Sequence, residues 1–111
     1  MECKNKIEIS GRVGTVKLHE LKGVGITDAT LTVCVTDVFK GSDGAAIITD
    51  TWFVATWWGV PEADAKKLCR GAFVELEGRM RNLHYVGEDG TDRTTMELVA
   101  KKGRVLKEAE G

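Results

Sequence analysis

Proline is almost missing from this sequence: Pro61 stands alone among 111 residues. Strands and hairpins can therefore run long without a break, and polyproline or collagen-like classes are excluded. Charge of one sign is missing too. Sixteen Lys and Arg against seventeen Asp and Glu leave a formal net charge of −1, so no global field advertises a polyanion partner. No apolar run approaches the ~20 residues of a membrane span, and Met1–Ser10 has no signal-peptide core. Neither membrane insertion nor secretion is expected. The three cysteines, Cys3, Cys34 and Cys69, are odd in number and widely spaced, so no disulfide framework suggests itself and a reducing cytoplasm is the expected compartment.

Signals for catalysis are equally sparse. His19 and His84 lie far apart with no cysteine near either, which gives no metal-ligand spacing. Nothing resembles a nucleophile elbow or a Walker loop. Gly23-Val24-Gly25-Ile26-Thr27-Asp28 has two glycines of a dinucleotide fingerprint, but it lacks the third and precedes a strand instead of a helix. Glu88-Asp89-Gly90-Thr91-Asp92 gathers acids without the ladder or terminal Glu of a calcium loop. An enzyme, a cofactor, a metal and a small-molecule substrate are therefore not expected.

What is present is a folded chain of single-domain length, 42% hydrophobic and 30% charged, with thirteen glycines. Lys6–Val16 alternates, Ile7, Ile9, Gly11 and Val13 against Glu8, Ser10, Arg12 and Gly14, which predicts a half-buried strand. Thr27–Val38 repeats the pattern after a Lys22–Gly25 hairpin loop. Ile47–Trp58, rich in Thr, Val, Ile and aromatics, predicts a third strand after a loop at Lys40–Gly44. Val60–Gly71 changes period and carries helix punctuation: Pro61 and acids first, Lys66, Lys67 and Arg70 last, Gly71 as the stop. Its narrow stripe of Ala65, Leu68 and Cys69 predicts a short helix on the surface or plugging a barrel end. Phe73–Asn82 and Thr94–Val99 predict two more strands around an Asp89-Gly90 hairpin signal. Residues 1–104 are expected to form the domain and 105–111 a short charged end. Five strands with a helix between the third and fourth is the layout of the OB-fold, an all-β Greek-key barrel.

The aromatics narrow the function. Trp52 and Trp58, six apart on one strand, share a face with Val54 and Thr56, while Phe53, Ala55 and Trp57 take the other. Two large rings ~20 Å apart at ~3.3 Å per residue can each stack a base along an extended strand. Arg79 and Arg81 share a face of the following strand, Arg12 lies on the polar face of the first, Lys40 follows Phe39, and Arg70 ends the helix. Cations on the same sheet as aromatics suit a nucleic-acid surface. The competing reading leaves one tryptophan in the core and its neighbours in a subunit contact.

The chain also resembles the bacterial single-stranded DNA-binding protein family in five fragments that occur in order. Asn5-Lys6-Ile7-Glu8-Ile9-Ser10-Gly11-Arg12-Val13-Gly14 looks like its N-K-V-x-L-x-G-x-L-G strand, and Ala29-Thr30-Leu31-Thr32-Val33 like its second. Thr51–Gly59 is similar to E-W-x-x-V-x-x-F/W-G, Leu68–Arg81 to L-x-K-G-x-x-V-x-x-E-G-x-L-R, and Tyr85 with Asp89–Glu97 to W-x-x-x-x-G-x-x-R-x-x-x-E. The resemblance implies single-stranded DNA as partner and base stacking on Trp52, Trp58 and Tyr85, with Phe39 near a further stacking position. It implies basic contacts at Arg70 and Arg81, a homo-oligomer (tetramer or dimer), roles in replication, repair and recombination, and a bacterial cytoplasm with nucleoid association. Arg12 and Arg79 rest on the face argument alone. Thr15-Val16-Lys17 stands where the family often has Asp-Pro, and the acidic tail ending in Pro-Phe is absent from Lys107–Gly111. That leaves a short form, or a tail lying beyond this sequence. The alternatives are a dimeric accessory protein resembling the primosomal N protein and a non-nucleic-acid assembly module.

Overall fold

Period-two alternation sends one set of side chains inward from every strand, and the strands close around that set. The computed structural model describes residues 1–109. The elements follow as β1 (Ile7–Leu21), β2 (Gly25–Lys40), β3 (Ala46–Trp58), α1 (Glu62–Ala65), β4 (Phe73–Val86) and β5 (Asp92–Lys107). They form a closed barrel in the order β1-β2-β3-β5-β4. All neighbours are antiparallel except β3 and β5, whose parallel contact is short: Ala55, Thr56 and Trp57 against Leu98, Val99 and Ala100. The expected all-β OB-type layout, with its helix between the third and fourth strands, is the one observed.

The core draws on all five strands: Ile9 and Val13, Ala29, Leu31 and Val33, Ala55 and Trp57, Val74 and Leu76, Leu98 and Ala100. Trp57, 1% exposed, is the largest buried side chain. Its indole lies on Gly103 of β5, where a Cβ would come within 2.8 Å of Cε2. At Gly78, beside a register shift, β4 and β5 approach so closely that a Cβ would collide with the Val99 carbonyl oxygen.

The helix is shorter than its punctuation suggests. Pro61 is the N-cap, with ψ 142°, and Lys66 already caps the C-terminus of the four-residue α1. The chain then tightens, with Lys67 and Leu68 donating to the carbonyls of Asp64 and Ala65 at 3.0 and 3.3 Å. Two anchors account for this. The Asp64 carboxylate accepts from the Val105 amide at 3.2 Å, and Gly71 donates to the Val13 carbonyl at 2.9 Å. Between them Ala65 and Leu68 plug the barrel end, while Cys69 is exposed.

The strands are longer than their core-facing patterns. β1 continues past Val16 to Leu21, β4 past Asn82 to Val86, and β5 extends from Asp92 to Lys107. The added lengths of β1 and β4, and the start of β5, are two-stranded ribbons that keep their ladders without burying a face, whereas residues 100–107 of β5 lie in the barrel wall, with Ala100 in the core and Val105 packed against it. Lys101-Lys102-Gly103-Arg104 lies beyond the expected end of the fifth strand at Val99. In the barrel it is strand, with Val105 paired to Val74. Residues 110 and 111 of the charged end lie outside the described residues.

Two expectations follow. Trp57→Ala should lower unfolding stability by about 3–5 kcal/mol in a urea titration, because a buried aromatic leaves a cavity. Trp58→Ala, exposed one position on, should stay within about 0.5 kcal/mol of the parent. Equal losses would contradict the inward and outward assignment. Separately, Lys6 reaches Glu77 at 3.1 Å and Glu8 at 3.3 Å. The hydrogen bond from Lys6 holds the Glu77 carboxyl below its ordinary value, and the same bond raises Lys6. The Glu77 contribution is thus present at neutral pH and lost as pH falls through its lowered folded-state value. Glu77→Gln should flatten the acid limb of thermal stability against pH slightly, since the pair is open to solvent. An unchanged limb would contradict the linkage.

Candidate nucleic-acid interface

The outer face begins where the core ends. On β3 the odd positions Phe53, Ala55 and Trp57 turn inward, and Trp52, Val54, Thr56 and Trp58 turn outward. Trp52 and Trp58 are 61% and 49% exposed. Because β3 and β5 pair through only three residues each, the β2–β3 and β4–β5 hairpins continue as separate arms, to Lys40–Ala46 and Val86–Asp92. Thr56, Val99 and Glu97 belong to the outward set yet are buried. They mark where the outer face is covered beside the parting arms.

One row of paired residues crosses all five strands: Lys17, Thr30, Thr56, Val99 and Arg79. At ~4.8 Å between strands it spans roughly 19 Å. Lys17 and Arg79 stand at its ends, and neither makes an ion pair among the described residues. A parallel row joins Arg12 to Cys34 and Cys34 to Trp52. A third joins His19 to Asp28 and Asp28 to Trp58. Charge on this face is mixed. Asp50 accepts from Thr36 at 2.7 Å, and Asp28 accepts from Thr27 at 2.9 Å with His19 3.9 Å away.

The arginines have different situations. Arg79 and Arg81 do share the outer face of β4, facing Val99 and Glu97. Arg81, however, is committed to Glu97: its Nε and Nη2 donate to one carboxylate oxygen at 2.9 and 2.7 Å, and Glu97 is 5% exposed. That pair satisfies a buried acid, and breaking it would leave an uncompensated charge. Arg12 donates to the Gly71 carbonyl at 2.8 Å and lies 5.8 Å from the centroid of Phe73, so it fastens β1 to the turn before β4. Arg70, one residue before that carbonyl, is exposed beside it. Lys40 ends β2 on the same pleat as Cys34.

Tyr85 stands on the outer side of the β4–β5 arm with Arg79 and Arg81, 46% exposed. Phe39 is not brought together with the tryptophans. It pairs with Ile47 on the pleat of Val33 and Val35, the opposite side of the β2–β3 ribbon from Trp52. Val38 and Ile48 occupy the tryptophan side of that tip, both well exposed.

Sequence reasoning missed three residues of this face. Lys17 lies beyond the expected end of β1, and Glu97 enters the sequence reading only as the last residue of a family-like fragment. Gly14 was legible only as a bend. It sits in a register shift between Val13 and Thr15, and the Trp52 ring lies over it: a Cβ there would come within 2.6 Å of Cζ3 and 2.9 Å of the Thr32 hydroxyl. Thr32 in turn bonds the Thr15 amide and hydroxyl at 3.0 and 2.9 Å. Among the described residues no group of three or more His, Cys, Asp or Glu could hold a metal ion, and no helix is long and apolar enough to cross a membrane.

A closed five-strand barrel plugged by a helix between β3 and β4, with exposed aromatics on its outer face, is an OB-fold. The chain belongs to the single-strand binding protein family, whose model it matches over residues 4–106. It is 26% identical over 103 residues to the single-stranded DNA-binding protein of Neisseria meningitidis serogroup A, covering 92% of this chain and 59% of that protein. Single-stranded DNA-binding protein 3 of Clostridium acetobutylicum is 31% identical over 107 residues, covering 92% of this chain and 70% of the relative. Among solved structures, the Plasmodium falciparum SSB complex with ssDNA superposes with TM-score 0.77 at 18% identity, covering 96% of this chain and 98% of that one. The small single-stranded DNA-binding protein from Streptomyces coelicolor gives 0.69 at 20%, covering 90% and 92%. At such identities the superpositions establish the fold.

The Trp52 seat can be tested directly. In a Trp58→Phe background, Gly14→Ala should increase quenching of Trp52 fluorescence by iodide while the unfolding midpoint moves little. Unchanged quenching would mean that the ring does not rest on Gly14.

Proposed function

We propose that this chain binds single-stranded DNA with little sequence preference, stacking bases on Trp52, Trp58 and Tyr85 and meeting phosphates with Arg79, Lys17 and the basic residues around them. The observation that carries the reading is the pair of exposed tryptophans on one outer face of the sheet, with Lys17 and Arg79 on the same face. Large rings left in water on a small domain mark a binding surface when cations flank them. Stacking contributes ~1–3 kcal/mol per base, so three platforms can supply most of the affinity without a basic protein. Family membership and the names of the matched relatives support the same partner.

The rest of the proposal follows from that partner. The protein acts as a homo-oligomer, tetramer or dimer, sheltering single strands during replication, recombination and repair in a bacterial cytoplasm, nucleoid-associated when bound to DNA. Residues 1–104 act as the binding domain. Arg70 and Lys40 serve as phosphate contacts at the margins. Arg12 and Arg81 act chiefly through the contacts that hold the face in shape. Phe39 meets only a strand that rounds the edge of the β2–β3 arm.

Titration with oligothymidylate, followed by tryptophan fluorescence at several salt concentrations, tests the reading. Strong quenching is expected, with an affinity that falls as salt rises. Trp52→Ala and Trp58→Ala should each weaken binding by about 5- to 150-fold. No quenching and no binding at low salt would refute the function and favour an assembly module.

A further inference from the structure

The two exposed tryptophans stand on a pleat that carries negative charge. The outward pairs of the β2–β3 ladder run from Asp28–Trp58, through Cys34–Trp52 and Thr36–Asp50, to Lys40–Ala46. Short of Lys40, that pleat holds two carboxylates and, among the described residues, no cation. Asp28 is directly opposite Trp58, which sets their Cβ atoms ~4.5–5.5 Å apart. Asp50 precedes Trp52 by two residues on the same face, ~7 Å along the strand. Each ring therefore has one carboxylate at its margin.

Both carboxylates are held in the same way. Asp28 Oδ1 accepts from the Thr27 hydroxyl at 2.9 Å, and Asp50 Oδ1 from the Thr36 hydroxyl at 2.7 Å. Each hydroxyl fixes one oxygen and leaves Oδ2 open. His19 Nε2 stands 3.9 Å from Asp28 Oδ2, too far for a hydrogen bond. Among the described residues no further donor meets either carboxylate. The Asp28 side chain is only 14% exposed, so solvent ions screen it poorly.

An oriented acceptor of this kind treats the two parts of a nucleotide differently. It repels a phosphate, so the backbone is driven off the β2–β3 pleat towards Lys17 on β1 and Arg79 on β4, the ends of the five-strand row. The bases are left over the rings, with their edges towards Oδ2. A carboxylate there accepts from an exocyclic amino group, which cytosine, adenine and guanine carry. Thymine presents a carbonyl oxygen and a methyl group instead.

We infer that Asp28 and Asp50 are specificity-determining residues that favour amino-bearing bases, cytosine above thymine or uracil, on Trp58 and Trp52. The inference rests on the single-stranded DNA reading and deepens it. The bias is several-fold, within a binder that still accepts every base by stacking.

The test compares oligodeoxycytidylate with oligodeoxyuridylate, each of about 16 nucleotides, the upper site size for an OB fold. The two bases have the same ring and differ only in the amino or keto group at C4 and the adjoining N3. Affinities are measured at slightly alkaline pH, where cytosine is unprotonated. The full chain is compared with the double variants Asp28→Ala/Asp50→Ala and Asp28→Asn/Asp50→Asn, the second keeping an oxygen for each threonine. The wild-type chain should prefer the cytosine strand by about 3- to 10-fold. The alanine variant should lose that preference through weaker cytosine binding, and the asparagine variant should lose part of it. Uracil binding should be unchanged or tighter, which also shows that the variants are folded. Equal wild-type affinity for the two strands overturns the selection without any variant. A preference that survives both double substitutions overturns it too, as does tightening of both strands by the same factor, which leaves the carboxylates as repulsive groups only. Each of these results leaves the function standing. Failure of the wild-type chain to bind either strand at low salt would instead remove the function and the selection together.

Discussion

The register of β3 is the constraint on which the rest of the molecule depends. Trp57 and Trp58 are adjacent, and a strand's pleat sends adjacent side chains to opposite faces. The antiparallel ladder to β2 runs from Asp28–Trp58 to Lys40–Ala46, and the short parallel contact with β5 pins Trp57 opposite Ala100. A slip of one residue would expel Trp57 from the core and bury Trp52 and Trp58. Gly103 makes the inner ring fit, and Gly14 supplies a flat seat for an outer one. Folding and the proposed binding surface are therefore decided by the same set of hydrogen bonds.

Charge is arranged locally. With a net charge of −1, the chain has no long-range field to draw DNA towards it, and its affinity must come from stacking plus a few placed cations. Among the described residues, Lys17 and Arg79, at the ends of the five-strand row, make no ion pair. Arg12 and Arg81 are already engaged, with the Gly71 carbonyl and with Glu97. Counting basic residues on the face overstates the number available to phosphates. A modest salt dependence is consistent with that arrangement, because each contact contributes separately to the slope.

Much of this was legible in the sequence where a local pattern carries the information. Alternation identified the core faces of β1, β2 and β4, separated the two faces of β3, placed Trp52 with Trp58 and Arg79 with Arg81, and the helix between β3 and β4 indicated the barrel. Contacts between distant segments were not legible. Nothing near Gly14 announces a tryptophan 38 residues away, and nothing near Arg81 announces that Glu97 is buried beneath it. The ribbon extensions of β1 and β4 were missed because a solvated ladder needs no hydrophobic period, and the rest of β5 because charged Lys101, Lys102 and Arg104 interrupt its inward side chains, Ala100 and Val105. Helix punctuation around Val60–Gly71 overestimated α1, because Asp64 and Gly71 are tied to β5 and β1 instead of extending a helix.

The central claim is that the outer tryptophans contact bases while the inner one supports the barrel. The most direct measurement is the shift of the three indole Nε1–H resonances on adding oligothymidylate, each assigned by single substitution. The account predicts that the Trp52 and Trp58 signals move or broaden as the oligonucleotide saturates the protein, and that Trp57 stays in place. Trp57 moving with the others, or all three remaining still while DNA binds, would contradict it.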